Sequence, residues 1–480
     1  MTEIVKYGAL FALATLISRF TGLVRDVLLA NKFGAGSEFD AYVIAISFPF
    51  LLRRAFAEGA MTSAFVPLYN EKKDKNKFAS AVITCLGLTT LTIVLVVEIY
   101  PKLVPLILAT KAKPEVFTLA TFLARISVPF IFFIFLWAVL YSIQNSHNVF
   151  FIPALSPVMM NIGIICGTIF SKLFDPPILG PTLGFTVGGA LMFLTLVPGT
   201  LRLGFKYKPT FQGFSEFLKL FFPALIAMTV SEFNVMIDVN VASFLGPGNV
   251  SILQYANRFY QLPFGVFGVA MSTVVLPLMS YDKERYDEHL KNSLQLSLFL
   301  TLPSMVGLVV LSKRLMILVY QHGAFTHEDA VKTGFVLLFY SLGLPIYSIV
   351  AVLSRACHSK KNMRTPFVAT VLSFLVNAIM DFVLGLTIGI NGIAVATTLA
   401  GFCSMIYLWL KVKPKVDLVH VIKISLASII MGIFVLTLSF LNASRLYTIV
   451  LVFCGMLAYM VLSKVFKLRE FEEFFKLLRR

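Results

Sequence analysis

Apolar stretches recur along the chain from residue 9 to residue 466, separated by short polar segments. Each approaches the roughly 20 residues that a helix needs to cross the hydrocarbon of a bilayer. None alternates with the period of two that a membrane β-strand requires, so a barrel is excluded and the spans are predicted to be helices. About fourteen of them are expected, centred near residues 18, 48, 90, 130, 162, 190, 230, 264, 302, 342, 377, 402, 430 and 456. The first, in MTEIVKYGALFALATLISRF, lacks a basic leader followed by a small-residue cleavage site and continues through Arg19 and Arg25, so it reads as a span and not as a removed signal. The predicted class is an all-α polytopic membrane protein.

Composition agrees. Of the 480 residues, 58% are hydrophobic and 14% charged, and the mean hydropathy is +0.86, far outside the range of soluble domains. Cys85, Cys166, Cys357, Cys403 and Cys454 are scattered through apolar segments, and the six histidines lie singly, so neither a disulfide framework nor a zinc site is indicated.

The net charge of +17 is unevenly placed. Starting from a cytoplasmic N-terminus, 25 of the 41 Lys and Arg residues fall in connections on that side, nine on the other, and seven, all arginines, within spans. The positive-inside rule then puts both termini in the cytoplasm, and the charge is a signature of orientation and of anionic membrane lipids, with no nucleic-acid motif among the basic segments.

An internal repeat organises the spans. FAEGAMTSAFVPLY from Phe56 is echoed about 210 residues later by FGVAMSTVVLPLM from Phe267, VPFIFFIF near Pro129 by LPIYSIVA near Pro345, and Asn161 by Asn377. Six spans per repeat is an even number, so the halves share one orientation. The expected division is residues 1–210 for spans 1 to 6, 211–412 for spans 7 to 12, and 413–480 for spans 13 and 14 with a basic tail.

Seven arginines (Arg19, Arg25, Arg53, Arg54, Arg125, Arg258 and Arg355) and several acids, including Asp26, Asp40, Glu58, Glu98, Glu232, Asp238 and Asp381, stand within spans. At about 2.5–3.5 kcal/mol each, seven lipid-facing arginines would cost about 20 kcal/mol, so they face water, each other or a ligand. No lysine is clearly within a span. That choice suits phosphate, since a guanidinium fork pairs two oxygens at once whereas an ammonium is a point charge. Arg19, Arg25, Arg53 and Arg258 sit in SRFTGLVRD, FPFLLRRAFAEGA and QYANRFYQLP, where Gly22, Pro49 and Gly59 permit kinks. Arg54, Arg125 and Arg355 read equally well as snorkelling or structural residues. In NAIMD, Asn377 and Asp381 share a helix face; with Thr397, Thr398 and Asp238 they read either as a hydrogen-bonded helix contact or as oxygen ligands for a small hard cation.

These segments, together with YQHGAFT at Tyr320 and SRACHSKKNMRTP at Ser354, resemble the MurJ (MviN) lipid II flippases of the multidrug/oligosaccharidyl-lipid/polysaccharide exporter superfamily. The resemblance runs through essentially the whole chain. It implies two pseudosymmetric six-helix lobes around a central cavity, with spans 13 and 14 forming a groove for an isoprenoid tail. Arg19, Arg25, Arg53 and Arg258 would bind substrate, with Asp26, Asp40 and Glu58 as associated cavity acids. A sodium site would comprise Asp238, Asn377, Asp381, Thr397 and the carbonyl of Ile393. His322 stands where relatives often have arginine, which puts a gating role for that position in doubt.

The implied function is movement of lipid II, the undecaprenyl-diphosphate-linked peptidoglycan precursor, from the inner to the outer leaflet of the bacterial inner membrane. Alternating access by a monomer, coupled to sodium and the membrane potential, is implied, with no cofactor, and with lipid II and membrane lipids as partners and no nucleic acid. No GxxxxGK[ST] motif offers an ATPase. The alternatives are an exporter of another lipid-linked oligosaccharide or of drugs, and an enzyme acting on polyprenyl phosphates; the last would need the DxD or DDxxD carboxylates that the chain lacks.

Overall fold

Inside a bilayer each segment must satisfy its own backbone, so apolar runs of this length fold as helices. The computed structural model describes residues 2–54, 60–265, 279 and 284–472. Its contacts divide the chain into two units, Met1–Ser251 with Gly323–Phe325, and Ile252–His322 with Thr326–Arg480.

The first unit contains α1 (Thr2–Phe33), α2 (Ser37–Leu52), α3 (Met61–Glu71), α4 (Lys75–Ile99), α5 (Leu103–Leu108), α6 (Pro114–Ser127), α7 (Phe130–Ser146), α8 (Phe151–Leu155), α9 (Pro157–Ile169), α10 (Leu179–Arg202) and α11 (Phe214–Phe244). α12 (Asn249–Pro263) starts in the first unit and continues into the second. There follow α13 (Tyr286–Tyr320), α14 (His327–Leu342), α15 (Leu344–Ser359), α16 (Arg364–Ile388), α17 (Ile390–Val412), α18 (Leu418–Ser439) and α19 (Tyr447–Val465). Ten of the described helices or collinear helix pairs are long and apolar enough to cross a membrane. The expected spans near residues 18, 48, 230 and 264 carry charges in their interiors or lie partly outside the described residues.

The tightest packing in the first unit is between α9 and α10. Gly163 and Gly167 face Gly180, Gly184 and Gly188 so closely that a Cβ on Gly163 would stand 2.4 Å from the Gly184 carbonyl oxygen, and one on Gly184 only 2.2 Å from that of Gly163. Small residues four apart let helix backbones touch where lipid supplies no hydrophobic drive to association. α11, which the repeat places at the start of the second lobe, is tied to the first unit at both ends. Lys72 pairs with Glu216 at 2.5 Å, and Asn240 donates to the Ile107 carbonyl at 2.8 Å while its own carbonyl oxygen accepts from Thr110 at 3.0 Å.

In the second unit α16 and α17 form a hairpin turned at Gly389, whose φ of 73° favours glycine. α18 and α19, the expected appendage, lean on α13. Tyr459 donates to the Phe299 carbonyl at 2.8 Å, and the Arg314 guanidinium takes the carbonyls of Ser439 and Asn442 at the end of α18, where a cation also meets the negative end of the helix dipole. The start of α18 is capped by Asp417, which accepts the His420 N–H; that bond, with Lys291 nearby, holds its carboxyl below the ordinary range.

Overpacking costs roughly 1–3 kcal/mol, so Gly184→Val is expected to lower the thermal unfolding midpoint of the detergent-purified protein by several degrees. Gly87→Ala, where a Cβ meets nothing within 4 Å, is the control and should leave the midpoint unchanged or slightly higher. Equal midpoints for the two variants would contradict the α9–α10 contact.

Candidate functional site

α1 carries Arg19, Arg25 and Asp26 on one long helix, and α9 packs along it. Arg25 is buried and held on both sides. Its Nε and Nη2 donate to Asp26 Oδ1 at 2.9 and 2.6 Å, and its Nη1 donates to Asn161 Oδ1 at 2.9 Å. Asn161, buried on α9, in turn donates from Nδ2 to the Thr21 hydroxyl at 2.9 Å and to the Ser18 carbonyl at 3.1 Å. A single amide therefore fixes the orientation of Arg25 and spans a full turn of α1.

Arg53 approaches the same part of α9 from α2. Pro49 lies within α2, and the chain widens into a π turn at Arg53 and Arg54, a feature that removes regular helix hydrogen bonds and re-aims side chains. Arg53 Nη1 stands 3.7 Å from the sulfur of Met160, and its guanidinium lies 5.9 Å from the centre of the Phe50 ring. Arg53 and Arg25 thus meet consecutive residues of α9, Met160 and Asn161. Arg19 is exposed on α1 and takes no ion pair or hydrogen bond among the described residues. Arg54 pairs with Glu232 of α11, Nη1 to Oε2 at 3.3 Å. Arg258 lies half-buried on α12 in the second unit.

Of the cavity acids, Asp26 is the partner of Arg25. Asp40, 2% exposed near the start of α2, accepts the Gly248 N–H at 2.5 Å, the Ser251 N–H at 2.8 Å and the Ser251 hydroxyl. A carboxylate is thereby seated on the N-terminus of α12, where unsatisfied N–H groups and the helix dipole favour negative charge. Close by in the same unit the Ala324 N–H donates to the Asn31 carbonyl at 2.8 Å, and Gly323, at φ 56°, leaves no room for a Cβ beside Asn31. His322 is exposed, and among the described residues its ring meets the Leu318 carbonyl, at 3.2 Å. Glu58 lies outside the described residues.

The oxygen-bearing residues of the expected sodium site fall in both units. Asp238 is buried on α11 of the first. In the second, Asn377 and Asp381 are buried on α16 and linked by a 2.6 Å hydrogen bond, and on α17 the Thr397 hydroxyl donates to the Ile393 carbonyl at 3.1 Å. A carboxylate, an amide, a hydroxyl and a backbone carbonyl are the hard oxygen donors that a small cation takes. Among the described residues no three His, Cys, Asp or Glu side chains gather as a metal-holding group.

The second unit also holds an apolar cavity of about 500 Å³. Leu298 of α13, Ile349 of α15, Trp409 and Leu410 of α17 and Leu418 and Val421 of α18 line it. Its wall on α18 belongs to one of the two C-terminal spans.

The described helices define an all-α polytopic membrane protein with arginines inside its spans. Its fold is shared with an inward-facing multidrug resistance MATE family transporter of the MOP superfamily, which matches with a TM-score of 0.67 over 84% of this chain and 98% of that one, at 15% identity. The chain belongs to the lipid II flippase MurJ family, whose model matches residues 29–462. It is 46% identical over 472 residues to a probable lipid II flippase MurJ of Thermotoga maritima, covering 98% of each chain. It is 44% identical over 461 residues to the lipid II flippase MurJ of Thermosipho africanus, covering 95% of each. A solved lipid II flippase MurJ in an inward closed conformation matches with a TM-score of 0.90 and 44% identity, over 95% of this chain and 98% of that one. These relatives are transporters and not enzymes.

Asn161 had no assigned role in the sequence beyond its place in the repeat. Its signal was a lone amide in the apolar run VMMNIG. Removing a buried hydrogen-bond partner costs about 1–3 kcal/mol, so Asn161→Leu, similar in volume, is expected to lower the thermal midpoint and to weaken substrate binding through a misplaced Arg25. A wild-type midpoint and affinity in this variant would show that the amide does not position the arginine.

Proposed function

We propose that this chain moves lipid II from the inner to the outer leaflet of the bacterial inner membrane by alternating access. The observation that carries the reading is the approach of Arg25 and Arg53 to consecutive residues of α9, with Arg19 exposed on the same helix as Arg25. Guanidinium groups so placed inside spans offer paired donors to a diphosphate, the one strongly anionic group that every lipid II molecule carries. Arg258 of the second unit would add a donor from α12. The head group, with its sugars and peptide, needs water, whereas the isoprenoid chain belongs in hydrocarbon or against a surface such as the apolar cavity bounded by α13, α15, α17 and α18.

Family membership supports the substrate, since the relatives are named for lipid II. Sodium is proposed as the coupled ion, taken by Asp238, Asn377, Asp381, Thr397 and the Ile393 carbonyl, with no resident cofactor. Movement of charge across the membrane would supply about 2.3 kcal/mol per elementary charge per 100 mV. Both termini are proposed to be cytoplasmic, and the protein to act as a monomer.

In liposomes containing the purified protein, fluorescent lipid II should change leaflets in one direction. Arg19→Ala and Arg258→Ala should slow it at least tenfold, because a charge-assisted contact is worth about 1.5–3 kcal/mol. Dependence on sodium should disappear in Asp381→Ala. If wild type leaves lipid II in place yet moves another polyprenyl-linked glycan, the fold stands and the substrate does not.

A further inference from the structure

We infer that Arg54 is a further phosphate-binding residue of this transporter, held in reserve by Glu232 and transferred to the substrate diphosphate when the head group arrives. The inference rests on the proposed function above, and four observations lead to it. Arg54 follows Arg53 directly on the π turn of α2, so the two side chains leave the same short stretch of irregular backbone. Its pairing is minimal: one nitrogen meets one carboxylate oxygen at 3.3 Å, and its other donors take no partner among the described residues. Arg25, by contrast, has both edges of its fork engaged by Asp26 and Asn161.

The Arg54 side chain is also 32% exposed, against 6% for Arg25. A guanidinium this open in the interior of a span is too costly to leave against lipid, so the exposed part faces water, from which a head group would come. Finally, Glu232 lies near the middle of α11, roughly 27 Å along the axis from Phe214 at 1.5 Å per residue. At that depth a carboxylate balances the arginine while no substrate is present. A diphosphate can replace it, because two phosphate oxygens match the planar fork that the single contact leaves unfilled. The exchange leaves no arginine uncompensated at either stage; Glu232 is a competitor for the same donors.

The test is binding of fluorescent lipid II to the purified full-length protein in nanodiscs, with thermal unfolding recorded for every variant. Arg54→Gln should weaken binding about tenfold. Arg54→Lys keeps the ion pair and the fold but loses the fork, and should also weaken binding several-fold. Glu232→Gln removes the competitor and should tighten binding about threefold, and the double variant Arg54→Gln with Glu232→Gln should bind as weakly as Arg54→Gln alone. A purely structural ion pair gives the opposite pattern, with Arg54→Lys binding like wild type and Glu232→Gln binding no tighter, and either result overturns the inference. If wild type and Arg19→Ala both fail to bind saturably, the lipid II reading fails and this one with it. If wild type binds and Arg19→Ala is weakened while the Arg54 and Glu232 variants match wild type, only the role of Arg54 is lost.

Discussion

The structure depends on one constraint, which is that a charge inside a bilayer must be compensated where it stands. An unpaired arginine in a span costs several kcal/mol, comparable to a large share of a domain's net stability. Each arginine described within the first unit's spans either meets that demand with a neighbour or is exposed. Arg25 is enclosed by Asp26 and Asn161, Arg53 rests near Met160 and Phe50, Arg54 meets Glu232, and Arg19 and Arg125 are exposed. These contacts link α1, α2, α9 and α11, so the groups that would receive an anionic head group also hold the helices together.

Backbone chemistry fixes the rest of the architecture. Helices are obligatory, and their closest contacts occur where glycine removes the side chain, as between α9 and α10. Among the described residues two wide turns follow a proline: Pro49 precedes the one at Arg53 and Arg54, and Pro263 precedes another at Phe264 and Gly265. Such turns place side chains where a regular helix would not. Arg25 and Arg54 are thus bonded to neighbouring side chains, and irregular backbone lies at Arg53 and Arg54.

Span positions, the all-helical class and the intramembrane arginines were legible in the sequence because each is a violation or a fulfilment of hydropathy that needs no tertiary information. Family resemblance then supplied a substrate class. Partner choice was not legible. Nothing in SRFTGLVRD indicates that Arg25 bonds to an asparagine 136 positions away, and Arg54, equally readable as a snorkelling residue, turns out to be one half of an ion pair with α11. The grouping of α11 was also hidden: the repeat places it at the head of the second lobe, while Lys72, Arg54 and Thr110 tie it to the first unit. Periodicity records which face of a helix is apolar, whereas these ties depend on which neighbour that face meets.

The central claim is that arginines on α1 and α2 receive the diphosphate of lipid II. A structure of the protein in lipid nanodiscs with lipid II bound tests it most directly. The account predicts that the diphosphate lies within hydrogen-bonding distance of Arg19, Arg25 and Arg53, with the isoprenoid chain leading away into apolar surroundings. A head group bound elsewhere, with Arg25 and Arg53 retaining the partners described above and Arg19 making no contact with it, would contradict it.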